Sequence, residues 1–307
     1  MDWTVYWFML PVCTVIASVA MFSGISGAAM LFPVFLIGFP LIGAPPLTTV
    51  EAVGLALFLE TSGFGTGVYR YVRRRLIDFQ TARAIVVVAL PLAIVGALLA
   101  RQAPEQLLRL GYGVAMLALA YLLLREPATA DAPEHVLQPT GAAGSEPPPA
   151  LVAEKSAADR TITDASGRVY TYQARGLGLQ RVFTGVGAVV AGMISTGVGE
   201  ATLPGLVRRS RFPVPVAAAT STVIVASAVL GASLTHGALI AREGGLSSIP
   251  WNLVVWAVPG AVIGATVGTR LQGKVSEELA RRFFSVLFAL IGVVFLLAFT
   301  VFAGRFT

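Results

Sequence analysis

Met21-Phe22-Ser23-Gly24-Ile25-Ser26-Gly27 and Met193-Ile194-Ser195-Thr196-Gly197-Val198-Gly199 decide how this chain folds. Each closes a long apolar run, Trp3 to Phe22 in one case and Leu179 to Ile194 in the other, and each precedes a shorter one. Ser and Gly stand where a membrane helix would otherwise continue. Glycine permits positive φ and exposes backbone N–H groups, and a helix restarting beyond the break presents donors that have no intrahelical partner. In hydrocarbon those donors need one, and an anion is the natural choice. The expectation is a substrate site built from Ser23, Gly24, Ser26 and Gly27 in the first break and Ser195, Thr196, Gly197 and Gly199 in the second. The competing reading is close helix packing by small residues, which is the reading adopted for Gly260, Gly264 and Gly268.

Outward from the breaks, the second half of the chain repeats the first. After Ala28–Phe39 come the apolar runs Thr48–Tyr69, Ala82–Ala100 and Leu107–Leu124; after the second break come Pro213–Ile240, Trp251–Gly268 and Leu279–Phe302. Most of these runs approach or exceed the roughly 20 residues that cross a bilayer. Pro91 and Gly96 recur as Pro259 and Gly264, each 168 residues later. Duplication around an interrupted first helix is a transporter signature. The expected fold is therefore an all-α integral membrane protein of two inverted helical repeats with broken first helices. Residues 1–124 form the first repeat and residues 179–307 the second. Residues 125–178 are a polar linker with six prolines between Pro127 and Pro149, read as largely disordered. Within it, Thr161 to Tyr172 alternates about a turn, as a short hairpin does.

Composition agrees. Of 307 residues only 12% are charged and 56% are hydrophobic, and the mean hydropathy is +0.78, which excludes an ordinary soluble globule. The net charge of +6 is assigned to loops rather than to nucleic-acid binding. If the repeats are inverted, the loops on one side hold 11 basic residues (Arg70, Arg73, Arg74, Arg75, Arg208, Arg209, Arg211, Arg270, Lys274, Arg281, Arg282) against three on the other (Arg101, Arg109, Arg242). A parallel arrangement would divide them 5 against 9. The positive-inside rule favours the first, with the linker in the cytoplasm and the N-terminus outside. Residues 1–69 contain no Lys or Arg, so no charged leader of a signal peptide is expected. One cysteine and two distant histidines supply no metal cage, and no metal or other cofactor is expected. With no nucleophile motif and no Walker loop, the chain reads as neither an enzyme nor an ATPase.

Carboxylates inside apolar helices are functional candidates by default. Glu60 lies near mid-helix and Glu200 beside the second break, and both are expected to couple anion movement to protons. The plain alternative is that they only cap helix N–H groups or pair with an arginine. Glu51 belongs to a capping box, Thr48-x-x-Glu51. His236 is expected at the membrane interface and Cys13 as a packing residue.

The broken helices, the run Ala217-Ala218-Ala219-Thr220-Ser221, and the Arg-rich loop leading through Leu76-Ile77-Asp78 to Pro91 and Gly96 together resemble the TauE/SafE family of sulfite and organosulfur-anion exporters. The likeness covers both hydrophobic halves and not the linker, and the first half carries Gly54-Leu55-Ala56 where Thr-Ser would sit. The resemblance implies a multi-pass permease of a prokaryotic cytoplasmic membrane. Its partners would be the lipid bilayer and a small anion, sulfite or an organosulfonate. It also adds Thr220 and Ser221 to the substrate-binding candidates. Two other classes stay open at this point: a membrane-embedded enzyme using Glu60 and His236, and an assembly factor whose linker binds a partner.

Overall fold

A computed structural model describes residues 2–23, 25–125, 136–137, 159–271 and 277–300. Gly24 and most of the linker, where disorder is expected, lie outside the described residues. The first half consists of α1 (Met9–Ser23), α2 (Gly27–Pro33), a π turn at Val34–Gly38, α3 (Phe39–Leu41), α4 (Thr49–Arg74), α5 (Phe79–Gln102) and α6 (Glu105–Arg125). The linker contributes β1 (Val136–Leu137), β2 (Asp159–Thr163) and β3 (Val169–Gln173). The second half consists of α7 (Leu177–Ile194), α8 (Val198–Pro204), a second π turn at Gly205–Arg209, α9 (Val214–Gly244), α10 (Trp251–Leu271) and α11 (Glu277–Thr300). Among the described residues six helices are long and apolar enough to cross a membrane: α5, α6, α7, α9, α10 and the part of α11 from Arg281. The chain is an all-helical membrane protein apart from the small linker sheet.

Local chemistry sets the helix ends. Thr48 and Glu51 form the reciprocal capping box that starts α4, and Arg75 ends that helix in the left-handed region at φ 55°. Asp78 starts α5 by accepting from the Thr81 N–H at 3.0 Å.

Each broken helix doubles back. Phe39, at the end of the α2–α3 run, stacks on Tyr6 with centroids 5.4 Å apart, beside the start of α1. In the second half the Arg175 N–H donates to Ser210 O at 3.4 Å, so the end of the α8 run returns to the start of α7. Both breaks are thus the tips of helical hairpins.

Small residues set the packing between helices. Along α10, a Cβ on Gly260, Gly264 or Gly268 would fall 2.4, 2.3 and 2.3 Å from the carbonyls of Leu10, Thr14 and Ser18, so α1 lies directly on this stripe and runs parallel to it. In the same way Gly96 of α5 and Gly192 of α7 let those two helices touch, each within 2.2 Å of a facing carbonyl if a Cβ were added. Without a hydrophobic drive between helices in lipid, such close approach is what holds them. Gly54 meets His236 while Gly67 meets Thr222, so α4 and α9 cross antiparallel. Hydrogen bonds join Asp78 to Thr220 and Arg101 to Glu243, so α5 and α9 run parallel. Gly63 meets α10 at Ala261 and Arg70 bonds Thr266 O, so α4 and α10 run parallel as well. It follows that α1 and α7 point in opposite directions, and their hairpin tips meet head-on.

At one end of the bundle Trp256 donates to Trp3 O at 2.5 Å and Asn252 to Asp2 O at 3.0 Å; these are anchors of the kind found at membrane interfaces. At the other end sits the linker sheet, in the order β1-β3-β2. Its β2–β3 turn is closed by Asp164 Oδ1, which accepts from the Ser166 and Arg168 N–H groups at 2.8 and 2.9 Å, with Gly167 at φ 86°.

Candidate functional site

The two tips meet through Ser26, Glu60 and Glu200. Ser26 caps α2 by accepting from the Ala29 N–H, and its hydroxyl donates to Glu60 Oε1 at 2.7 Å. The Ser26 N–H donates to Glu200 Oε1 at 3.3 Å, and the other Glu200 oxygen accepts from the Gly197 N–H at 3.0 Å. Ser26 Oγ also lies 3.4 Å from Ser195 O, which closes one tip against the other. Glu60 reaches in from α4 and faces the Gly27 and Ala28 N–H groups. Each break is therefore capped by a carboxylate, and a single serine touches both of them.

The second tip turns on its backbone. Ser195 ends α7 in the left-handed region at φ 59°, and Gly197 takes φ 123°, which a side chain rarely adopts. Of the two glycines in this turn it is Gly197 that takes a positive φ. Gly199 lies one residue inside α8 and is buried. Ser195 Oγ is buried with no hydrogen-bond partner, and the buried Thr196 hydroxyl lies beside Glu200. At the first tip Ser23 ends α1 and Gly27 begins α2 against Ala20. Behind this tip a small cavity, almost wholly apolar, is lined by Cys13, Ala17, Ala20, Met21, Gly27, Glu60 and Phe64.

Glu60 is 5% exposed and Glu200 partly buried. Among the described residues the ion pairs lie at the bundle ends and involve Glu243, Glu105, Asp78 and Glu278. Glu60 and Glu200 therefore act as helix caps in this conformation, Glu60 on the Gly27 and Ala28 N–H groups and Glu200 on those of Ser26 and Gly197.

The structure does not bring Thr220 and Ser221 to the tips. Interpolating between Gly54–His236 and Gly67–Thr222 sets Glu60 opposite Val229 or Leu230, so Thr220 stands about 15 Å along α9 from it. Thr220 accepts from the Asp78 N–H at 3.0 Å, while Ser221 and Thr222 bond back to Ala218 O at 3.1 and 2.7 Å. His236, expected at the membrane interface in a structural role, packs against protein. It is fully buried, with Nε2 2.9 Å from Gly192 O, because α9 runs on through Gly244 and carries the ring into the contact with α4 and α7. It lies level with Gly54, about 9 Å along α4 from Glu60, so the groups that a Glu60–His236 enzyme would need are not assembled.

Sequence reasoning missed a second polar cluster, at the linker end. Asp78 Oδ2 accepts from Arg160 Nη1 at 2.6 Å, from the Thr81 hydroxyl at 2.8 Å and from the Tyr172 hydroxyl at 3.0 Å. Burial pushes the Asp78 carboxyl up, but the Thr81 donors and Arg160 outweigh it and hold it below its ordinary value. A depressed folded pKa contributes stability above the unfolded value and loses it as pH falls through the folded one, so the cluster persists at neutral and mildly acid pH. The only sign of it in the sequence is Asp78 directly before a helix.

Comparison with protein families matches the sulfite exporter TauE/SafE family over residues 9–295. No curated protein and no solved structure matches the chain. The match spans both hairpin tips, both carboxylates and the long helices up to residue 295 in α11, and on that extent this multi-pass membrane protein belongs to the TauE/SafE sulfite exporter family, a family of permeases.

Proposed function

We propose that the chain is a secondary transporter of the cytoplasmic membrane that moves a small anion, sulfite or an organosulfonate, through the meeting point of the two hairpin tips. The observation that carries this reading is the head-on contact of two oppositely directed tips, each with helix-start N–H groups held by a carboxylate. Such discontinuous helices are where secondary transporters bind substrates and coupling ions.

The pairing of helices supports inverted repeats. Exchanging α1 with α7, α4 with α9, α5 with α10 and α6 with α11 turns the α1–α10 contact into the α7–α5 contact and maps the antiparallel α4–α9 and α6–α11 pairs onto themselves. A two-fold axis lying across the helices would relate the halves in this way. The end bearing the linker also bears Arg70, Arg73, Arg74, Arg75, Arg208, Arg209 and Arg270, which supports a cytoplasmic linker. In a Cys13→Ser background, Leu246→Cys should then label from outside intact cells with an impermeant maleimide, and Ser166→Cys only after the cells are opened. The reverse pattern would invert the assignment.

Coupling follows from competition. An anion and a charged carboxylate cannot share one helix start, but a protonated carboxyl leaves the N–H groups free and removes the repulsion. Proton uptake on Glu200, with Glu60 as a second carrier, would thus admit the anion. Proteoliposomes of the purified protein should take up labelled sulfite faster under an imposed pH gradient than without one. Uptake no faster than in empty liposomes, for sulfite and for a panel of small organosulfonates alike, would sink the proposal.

A further inference from the structure

The β2–β3 hairpin lies outside both repeats and occurs once, yet it grips both. On the first-half side Arg160 holds Asp78 at 2.6 Å and Thr81 at 2.5 Å, and the Ala165 N–H at the hairpin turn donates to Arg74 O, in the last residue of α4, at 3.0 Å. On the second-half side the Tyr172 ring packs on Phe212 with centroids 4.5 Å apart, and the Arg175 N–H reaches Ser210 O. Tyr172 joins the two sides, because its hydroxyl donates to Asp78 while its ring covers Phe212. Asp78, Tyr172 and Phe212 are 6%, 6% and 2% exposed, so this is a closed contact and not a surface strand lying nearby. It covers the place where the α4–α5 turn meets the start of α9, which is where the Asp78 N–H bonds Thr220. At the opposite end of the same two helices, α5 and α9 are joined by Arg101 and Glu243, whose carboxylate side chain is 63% exposed. An exposed pair of that kind contributes little. The two mouths are therefore held unequally.

We propose that the β2–β3 hairpin is a latch across the two repeats, and that the linker-side mouth opens only when Arg160 and Tyr172 release Asp78. The proposal rests on the transporter reading above, taken as alternating access in which one repeat rocks against the other and the two mouths open in turn. It adds a device that the repeats themselves do not contain: a gate element bound to one face, which biases the resting protein towards closure on that side. Arg160 and Tyr172 are positioning residues here. They touch no substrate and act through the ends of α4, α5 and α9.

The first arm of the test reads accessibility, so it does not depend on knowing the anion; the second reads sulfite uptake. In a Cys13→Ser background, Thr222→Cys reports on the linker-side half of α9 and Ser233→Cys on the far half. In inside-out vesicles, Arg160→Gln and Tyr172→Phe should each speed labelling of Thr222→Cys by an impermeant maleimide about tenfold or more, the worth of one charge-assisted or buried hydrogen bond. Arg168→Gln, exposed on the same hairpin, should leave it unchanged. Separately, oxidising a Cys pair placed by Ala165→Cys and Arg74→Cys should stop transport and hold the labelling slow, and reduction should restore both. That arm decides the matter even if Arg160→Gln fails to fold. If the labelling is unmoved in Arg160→Gln and Tyr172→Phe, or if the cross-linked protein transports like the parent, the latch is overturned. If Thr222→Cys and Ser233→Cys both speed up in Arg160→Gln instead of changing in opposite directions, alternating access fails, and the hairpin is a clamp on the whole bundle and not a latch on one mouth.

Discussion

Glu200→Gln should keep anion binding and lose the pH dependence of transport, whereas Glu200→Ala should abolish transport. The difference follows from what each variant leaves at the second tip. Glu200 takes the Ser26 N–H with one oxygen and the Gly197 N–H with the other. The amide of Gln keeps an acceptor there and imitates a carboxyl that carries its proton. Alanine leaves two backbone donors facing hydrocarbon-like surroundings, at about 1–3 kcal/mol each. It also frees Gly197, at φ 123°, from the contact that holds its turn. The tips should then separate, and uptake should fall by at least about tenfold. Glu60→Gln is milder, because the Ser26 hydroxyl can still donate to the amide oxygen. The measurement is sulfite flux against external pH for the parent and the three variants. A Glu200→Gln profile that follows the parent's would remove Glu200 as the coupling group. If Glu60→Gln follows it too, movement through the tips is passive.

Gly264→Val and Gly192→Val should be the most destabilising single substitutions in the helix bundle. A Cβ at Gly264 would sit 2.3 Å from Thr14 O, and one at Gly192 2.2 Å from Ala93 O. Both neighbours are backbone, and backbone in a packed helix cannot swing aside as a side chain can. The helices must move apart along a whole face, and overpacking of this severity costs about 3 kcal/mol or more. Because α1 lies on the Gly264 stripe and α7 carries Gly192 against α5, the damage should spread to the hairpin whose tip each helix supports. Gly237→Ala is the control: a Cβ there meets nothing within 4 Å, and exchanging Gly for Ala inside a helix is neutral to slightly stabilising. Thermal midpoints in detergent should fall by several degrees for the two Val variants and hold for Gly237→Ala. Midpoints unchanged in the Val variants would mean that α1 does not lie on α10, nor α7 on α5, as described.

Much of this architecture is legible residue by residue. Apolar runs near bilayer length, small-residue stripes, the Thr48–Glu51 cap and the Ser/Gly interruptions all report on the local environment each segment needs, and local composition carries that information directly. Even the division of arginines between loops can be counted without knowing where a helix lies in space. The tertiary structure alone decided what happens at the interruptions. Whether the chain beyond Gly27 or Gly197 continues or turns back depends on contacts such as Phe39 on Tyr6 and Ser210 with Arg175, which join residues more than thirty positions apart. Glu60 and Glu200 read singly as intramembrane carboxylates, but their meeting through Ser26 spans 34 and 174 positions of sequence. Arg160 and Asp78 are 82 positions apart and belong to different parts of the chain. Hydrophobicity selects which segments enter the bilayer, but it is non-directional and cannot choose which polar groups face one another there. That choice falls to the close fit of glycine faces and to the requirement that every buried N–H find an acceptor, and both are satisfied only once the whole bundle has assembled.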